Sequence, residues 1–227
     1  DRWPLLGWYS YLAQRIGGVD LYNEVCSGDK NFTEDAYVQA GEEIKALAKK
    51  GFINGCMSVD ATTAEALFAA GKGAILITGS WSIPTFTEDP ERAKDFSYFP
   101  FPVAEGGKED EAGYLYGGVA NTLAISRSTK NKDAVVKFLK YMMSEEEQTL
   151  SVERTGTFST VKVSPKEENM DPLAYQFSQY VSDGVEGFIP YTDQALPPEQ
   201  AENLLNALTA IVAEDNADVK AELAKIK

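Results

Sequence analysis

The stretch GKGAILITGSWSIP, residues 71–84, decides the reading of this chain. Ala74, Ile75, Leu76 and Ile77 make a short apolar run, rich in β-branched residues and closed by Gly79. That pattern predicts a strand over 74–78, buried on both faces. Trp81 follows two residues past the glycine. A core tryptophan belongs inside the strand, so an indole on the turn beyond it is expected to be displayed in a crevice. The competing reading is a ring that caps the sheet edge and packs on the next helix.

Working outward, helical spacing of Leu5, Leu6, Tyr9, Leu12, Ala13 and Ile16 predicts a helix over 4–16, opened by Pro4 and stopped by Gly17-Gly18. A second helix follows Thr33, with Tyr37, Ala40, Ile44 and Leu47 on one face and Gly51 at its end. A third starts near Thr62, where Thr62 and Glu65 form a capping box, and ends at Gly71. Residues 98–103 (YFPFPV) read as an edge or crossing strand, because prolines cannot sit in a central one. Residues 122–126 (TLAIS) read as a further strand. A helix over 132–143 carries Ala134, Val135, Phe138, Leu139 and Met142 as a core stripe. Ser144 caps a new helix, Asp171-Pro172 opens another that ends near Gly184, and 198–227 reads as two helices broken around Asp215-Asn216. Helices that cover a small sheet make an α/β layout. In such sheets ligands sit beyond the carboxyl ends of the strands, which is where Trp81 would lie.

Bulk composition narrows the function. With 227 residues the chain can form one large or two small domains around a real core. Acidic residues number 35 against 21 basic ones, a net charge of −14, which disfavours nucleic acid and anionic membrane surfaces but permits an uncharged ligand. The absence of histidine removes His-dependent triads, imidazole zinc sites and His acid–base chemistry. Cys26 and Cys56 are too few for a structural zinc site or a disulfide scaffold; they are either two separate small apolar residues or one disulfide in an oxidising compartment. No apolar run approaches the length of a membrane span, and no signal-peptide pattern opens the chain. It starts on Asp1-Arg2-Trp3-Pro4 without a methionine and reads as a fragment or a processed chain.

Six residues are singled out for ligand binding: Trp81, Trp3, Tyr116, Gly117, Gly118 and Asp193. A pyranose presents an apolar, slightly positive face of C–H bonds that suits the negative face of an indole, and stacking asks for no countercharge. Trp81 and Trp3 stand at element ends, whereas Trp8 reads as partly buried on a helix flank. Tyr116-Gly117-Gly118 permits close backbone approach in a hinge, a tight turn or a ligand-facing loop. Asp193, in a proline-flanked loop, can accept two sugar hydroxyls at once, or is a solvated loop residue. No catalytic residue, metal ligand or cofactor motif is assigned. GKGAILITGS lacks the order of a phosphate loop, and there is no G-x-S-x-G elbow. Glu42-Glu43 and Glu167-Glu168 read as solvated faces, and Glu145, Glu146 and Glu147 are explained by helix capping. Two alternatives stay open: a carbohydrate hydrolase using paired carboxylates, and a binding module for a non-sugar solute such as a peptide or polyamine.

The order of segments carries a resemblance. A Trp-Pro start and a helix to Gly-Gly come first, then F-T-E-D before a helix ending K-K-G-F. A-L-F-A-A-G-K-G-A-I-L-I-T-G-S-W follows, then Y-G-G-V-A-N-T-L-A-I-S-R-S-T-K-N-K-D-A-V-V-K-F-L-K-Y-M-M-S-E-E-E-Q, T-G-T-F-S-T and Y-T-D-Q-A-L-P-P-E. Together they resemble the sugar-type extracellular solute-binding proteins of ABC importers, the maltose-binding-protein-like group. The resemblance implies a type II periplasmic-binding-protein fold, two lobes that close on a ligand, and no catalysis. It implies a sugar or oligosaccharide ligand, permease transmembrane subunits as partners, no nucleic acid, and an extracytoplasmic location, periplasmic or lipid-anchored. On it, Trp81 falls on the family's sugar-stacking tryptophan, while Trp3, Tyr116, Gly117, Gly118 and Asp193 fall on segments that face the cleft. The family pattern assigns 1–112 to the second lobe, 113–143 to a strand–helix returning to the first lobe, and 144–227 to the helical remainder of the second. Roughly half of the family's length has no counterpart before Trp3, so the apolar stripe of 132–143 is expected to need another home.

Overall fold

The structure, a computed structural model, describes residues 1–118 and 122–227. Its helices are α1 (Trp3–Ser27), α2 (Asp35–Lys50), α3 (Ala61–Ala69), α4 (Ile83–Thr87), α5 (Pro90–Ala93), α6 (Lys132–Met142), α7 (Glu145–Thr155), α8 (Pro172–Gly184), α9 (Thr192–Ala195), α10 (Pro198–Ala213) and α11 (Val219–Leu223). Two strands, β1 (Tyr114–Tyr116) and β2 (Gly187–Ile189), pair in parallel with Leu115 opposite Phe188. The chain divides into two compact units: a first of Asp1–Thr78, Phe99–Gly118 and Val185–Lys227, and a second of Gly79–Tyr98 and Val119–Gly184. The 119–121 part of the strand–helix segment expected over 113–143 lies outside the described residues.

The first unit is built on α1. Apolar and polar residues are mixed around this helix, so it is buried on several sides rather than along one stripe. Leu5, Tyr9, Leu12 and Ala13 meet Ile44 of α2, Leu204, Leu208 and Ile211 of α10, and Leu223 of α11 in one core. In α10 the buried positions 201, 204, 207, 208 and 211 follow helical spacing, as an amphipathic helix requires. Trp8 packs on Phe52 and Phe101 at ring separations of 5.8 and 5.7 Å, the flank position expected of it. The helix expected to stop at Gly17-Gly18 continues to Ser27. Gly18 instead makes a kink (φ 85°, ψ 169°), a backbone conformation that a residue with a Cβ rarely adopts. The kink frees two backbone groups, which other segments satisfy: Arg15 O accepts from Lys108 N (2.9 Å), and Val19 N donates to the Glu111 carboxylate (3.1 Å).

The second unit is thinner. Ile83 of α4, Val152 of α7, and Met170 and Ala174 around the start of α8 form its buried cluster. Tyr98, Phe177 and Tyr180 add a partly buried aromatic row, with the exposed Phe158 against Phe177 at its end. Ser144 caps α7 as expected, accepting from Glu147 N. For α3, however, Asp60 is the cap, accepting from Thr63 N at 2.7 Å, in place of the expected Thr62. A carboxylate one position before the first turn is a good acceptor for its free N–H groups.

Three expected strands are not paired. Residues 74–78, 98–103 and 122–126 run without strand hydrogen bonding, and the ladder forms instead between β1 and β2. A strand exists through its neighbours: Pro100 and Pro102 remove two donors from 98–103, and the apolar side chains of 74–78 and 122–126 meet no sheet. Ile75 and Leu123 are exposed accordingly. The stripe expected to be core on α6 is not buried either: that helix buries no residue, and Phe138 and Tyr141 stand 58% and 60% exposed. Cys26 and Cys56 are both free thiols.

Candidate functional site

In the second unit, Trp81 lies in a 3-10 turn, Ser80–Ser82, rather than at the end of a paired strand. The buried Ile83 and Phe86 of α4 anchor the turn just beyond it. The indole folds back over Gly79: a Cβ there would stand 2.1 Å from Trp81 Cζ3. The glycine is thus demanded by the ring's approach, and its own φ of −112° is ordinary. With one region of the ring resting on the backbone, the side chain keeps 45% of its surface open. A shallow cavity of about 140 Å³ lies near α4, bounded by Pro84, Glu153, Gly156 and Asp171. It falls below the ~300–1,000 Å³ of most ligand pockets. Asp171 is also engaged there in capping α8, accepting from Leu173 N at 2.8 Å.

The other five residues belong to the first unit. Trp3 opens α1 and is 39% exposed. Its neighbour Arg2 fixes the helix start to α10 through a two-pronged pair with Glu202, at 2.9 and 3.0 Å. Tyr116 ends β1 and is half-buried. Its hydroxyl turns inward and donates to Ser10 O at 3.0 Å, and its N–H donates to the Tyr11 hydroxyl at 3.1 Å. What this segment offers outward is therefore the backbone of Gly117 and Gly118. Gly117 N–H extends the ladder to Ile189 O (2.9 Å), and a Cβ on Gly117 would meet the Phe188 ring at 2.9 Å. Asp193 stands in the first turn of α9. Beside it, the buried Thr192 shares a hydroxyl hydrogen bond with Ser10 (2.8 Å).

The structure thus brings Tyr116 and the α9 segment together on α1 through Ser10. Trp3 stands seven residues earlier on the helix, about 10 Å along its axis. Burial pushes the Tyr116 phenol well above its ordinary value, with Tyr37 adding to the effect. Tyr22, whose hydroxyl donates to Pro190 O at 2.7 Å, is pushed up by burial first and then by Cys26, with a smaller contribution from the Asp193 charge. These phenols are neutral hydrogen-bonding groups, not acids or bases at neutral pH.

Sequence reasoning missed Ser10, Tyr11, Gln14, Arg15, Glu111 and Thr192, the polar groups that hold these segments. Ser10, Gln14 and Arg15 are buried on a helix otherwise read as an apolar stripe. Their signal was present as three polar residues within six positions of a helix with no solvent-facing need for them. Among the described residues no group of His, Cys, Asp or Glu is arranged to hold a metal ion, and no helix is long and apolar enough to cross a membrane.

Comparison with known proteins follows the same lines. Residues 1–149 match the family of bacterial extracellular solute-binding proteins. A maltotriose-binding protein of Pyrococcus abyssi (strain GE5 / Orsay) is 29% identical over 190 residues, which are 79% of this chain and 38% of that protein. Among solved structures, a protein from work on xylan utilization by Caldanaerobius polysaccharolyticus superposes with a TM-score of 0.89 at 24% identity. It covers all of this chain and 58% of its own. A chitin oligosaccharide binding protein gives a TM-score of 0.86 at 24% identity, covering all of this chain and 56% of its own. The chain therefore spans about half the length of these structures and less of the curated relative. The likeness establishes the α/β fold of solute receptors, here in partial form. With the family match covering most of its length, the chain belongs to the bacterial extracellular solute-binding proteins, a family of receptors and not of enzymes.

Proposed function

We propose that this chain is part of the receptor of an ABC importer and binds a neutral sugar or oligosaccharide by aromatic stacking and hydrogen bonds. The observation that carries the reading is the Trp81 indole, braced over Gly79 and open to solvent in a solute-binding family. A flat apolar face fits the C–H surface of a pyranose and needs no charge, which suits a chain of net charge −14. Trp3 supplies a second aromatic ring, Gly117 and Gly118 supply approachable backbone, and Asp193 accepts sugar hydroxyls. The names of the relatives, a maltotriose-binding and a chitin oligosaccharide binding protein, support this ligand class. The receptor works outside the cytoplasm, in the periplasm or lipid-anchored at the outer face of the cell membrane, and hands its ligand to permease transmembrane subunits.

In the same reading, 113–143 is the segment that returns to the lobe that relatives carry in addition to this chain, leaving the first unit after β1, and the rest belongs with the second lobe. The uncovered apolar face of α6 supports that assignment, as does the share of the solved relatives with no counterpart here. The ligand then lies in the cleft between the two lobes of the intact receptor.

Titration of the full-length protein with malto-, xylo- and chito-oligosaccharides, followed by calorimetry and tryptophan fluorescence, tests the reading. Trp81→Ala is expected to weaken the best ligand by about 10- to 100-fold, the worth of one well-buried aromatic contact of ~1.5–3 kcal/mol. Unchanged affinity in that variant removes the stacking platform. A thermal shift with peptides or polyamines, and none with sugars, moves the chain to the non-sugar solutes.

A further inference from the structure

We infer that Arg15 is a positioning residue for the Tyr116, Gly117 and Gly118 backbone, an inference that rests on reading this segment as ligand-facing. Arg15 is fully buried, which is rare for a guanidinium and costly without hydrogen bonds. Among the described residues its hydrogen bonds include Nε to Phe101 O (3.2 Å), Nη1 to Glu111 O (2.9 Å) and to the Gln14 side-chain oxygen, and Nη2 to Ala112 O (3.2 Å) and Tyr114 O (3.1 Å). That occupies the whole donor capacity of the group. The Tyr11 ring lies 5.3 Å from the guanidinium carbon and adds a cation–π contact.

The acceptors have a geometric logic. Carbonyls alternate in direction along a strand. Gly113 O accepts from Glu186 N on the β2 side, at 2.9 Å. Ala112 O and Tyr114 O point the other way, where no second strand pairs with β1 among the described residues, and one Arg15 nitrogen takes both. The next group on that edge, Tyr116 N–H, is taken by Tyr11. Side chains of α1 therefore do for β1 what a third strand would do. They fix it from its open edge while β2 fixes it from the other. The chain leaves this doubly held strand directly into Gly117 and then Gly118, whose φ of 129° is open to glycine. The path of those two residues is set by the strand behind them, and the strand by Arg15. The planar fork is essential, because its three nitrogens reach Phe101 O, Glu111 O and the two β1 carbonyls at once, which the single nitrogen of a lysine cannot do.

The test uses the full-length protein labelled with 15N-glycine, as Arg15→Lys and Arg15→Met, beside Ile44→Val, a core control chosen to lower the melting temperature comparably. The inference expects the Gly113, Gly117 and Gly118 amide signals to move or broaden in both Arg15 variants. Signals of remote glycines, and those of the control, should stay. It further expects the Kd for the oligosaccharide bound best by the wild type to rise at least ~10-fold in Arg15→Lys, and less than ~2-fold in the control. Lower stability with unmoved glycine signals and a Kd within twofold overturns the inference, leaving Arg15 a purely structural residue. If the wild type binds no oligosaccharide, the sugar reading fails, and the glycine signals alone then decide the positioning claim. If Arg15→Met does not fold, Arg15→Lys alone carries the comparison.

Discussion

The two units differ in how they hide apolar surface. The first buries a continuous core of four helices, in which Ile44, Leu204, Leu208 and Ile211 are fully enclosed. The second buries four residues in its cluster and leaves Leu123, Ile125, Phe138, Tyr141 and Phe158 open. Both carry helices of good amphipathic pattern, so pattern alone does not separate them. The difference is the availability of a facing surface: α10 has α1 and α2 beside it, while α6 shows its stripe to solvent. An amphipathic helix with its large apolar side chains this open is a request for further cover.

Breaking that contrast should produce effects of ordered size. Ile44→Ala or Leu208→Ala is expected to cost about 2–5 kcal/mol, read by denaturant unfolding of the first unit, because the cavity has no room to collapse. Alkaline pH should act on the same unit. Burial holds the Tyr9, Tyr37 and Tyr116 phenols above the ordinary value of 10.0, so the folded state keeps protons that the unfolded chain releases. Their contribution is full below pH 10 and is lost as pH rises above it. Absorbance at the phenolate band should therefore rise together with loss of structure, and a smooth titration without unfolding would contradict this burial. Gly79→Ala is expected to cost about 1–3 kcal/mol and to shift tryptophan emission, since the ring must leave its seat. Ser144→Ala should remove about 0.5–2 kcal/mol from α7, seen in the second unit's transition alone. Phe138→Ala should be the smallest, within about 0.5 kcal/mol in this chain. In the full-length receptor the same change is expected to cost about 3–5 kcal/mol if the first lobe covers α6. An equally small effect there would show that the face stays open.

Helices were legible wherever a stripe and a cap coincided. Ser144 and Glu147 marked α7, and the break at 214–218 separated α10 from α11. Gly17-Gly18 misled because paired glycines can stop a helix or only kink it, and the choice belongs to Lys108 and Glu111, ninety residues away. Trp81 was legible as a ring near an element end. That Gly79 exists to seat it was not, because close approach of ring to backbone leaves no mark in local spacing. Ser10, Gln14 and Arg15 were hidden for a related reason: their partners at 101, 111–114 and 192 are far along the chain.

By itself, the sequence determined the helix-rich α/β character, the family resemblance, the absence of histidine chemistry and the acidic balance that permits an uncharged ligand. These depend on composition and on neighbours within a few residues. Only the tertiary structure decided which strands pair, which apolar stripes find cover, and how a buried guanidinium braces the strand before Gly117. Ladders, cores and buried hydrogen bonds join residues that lie far apart in the chain, and that pairing is settled by folding rather than by local pattern.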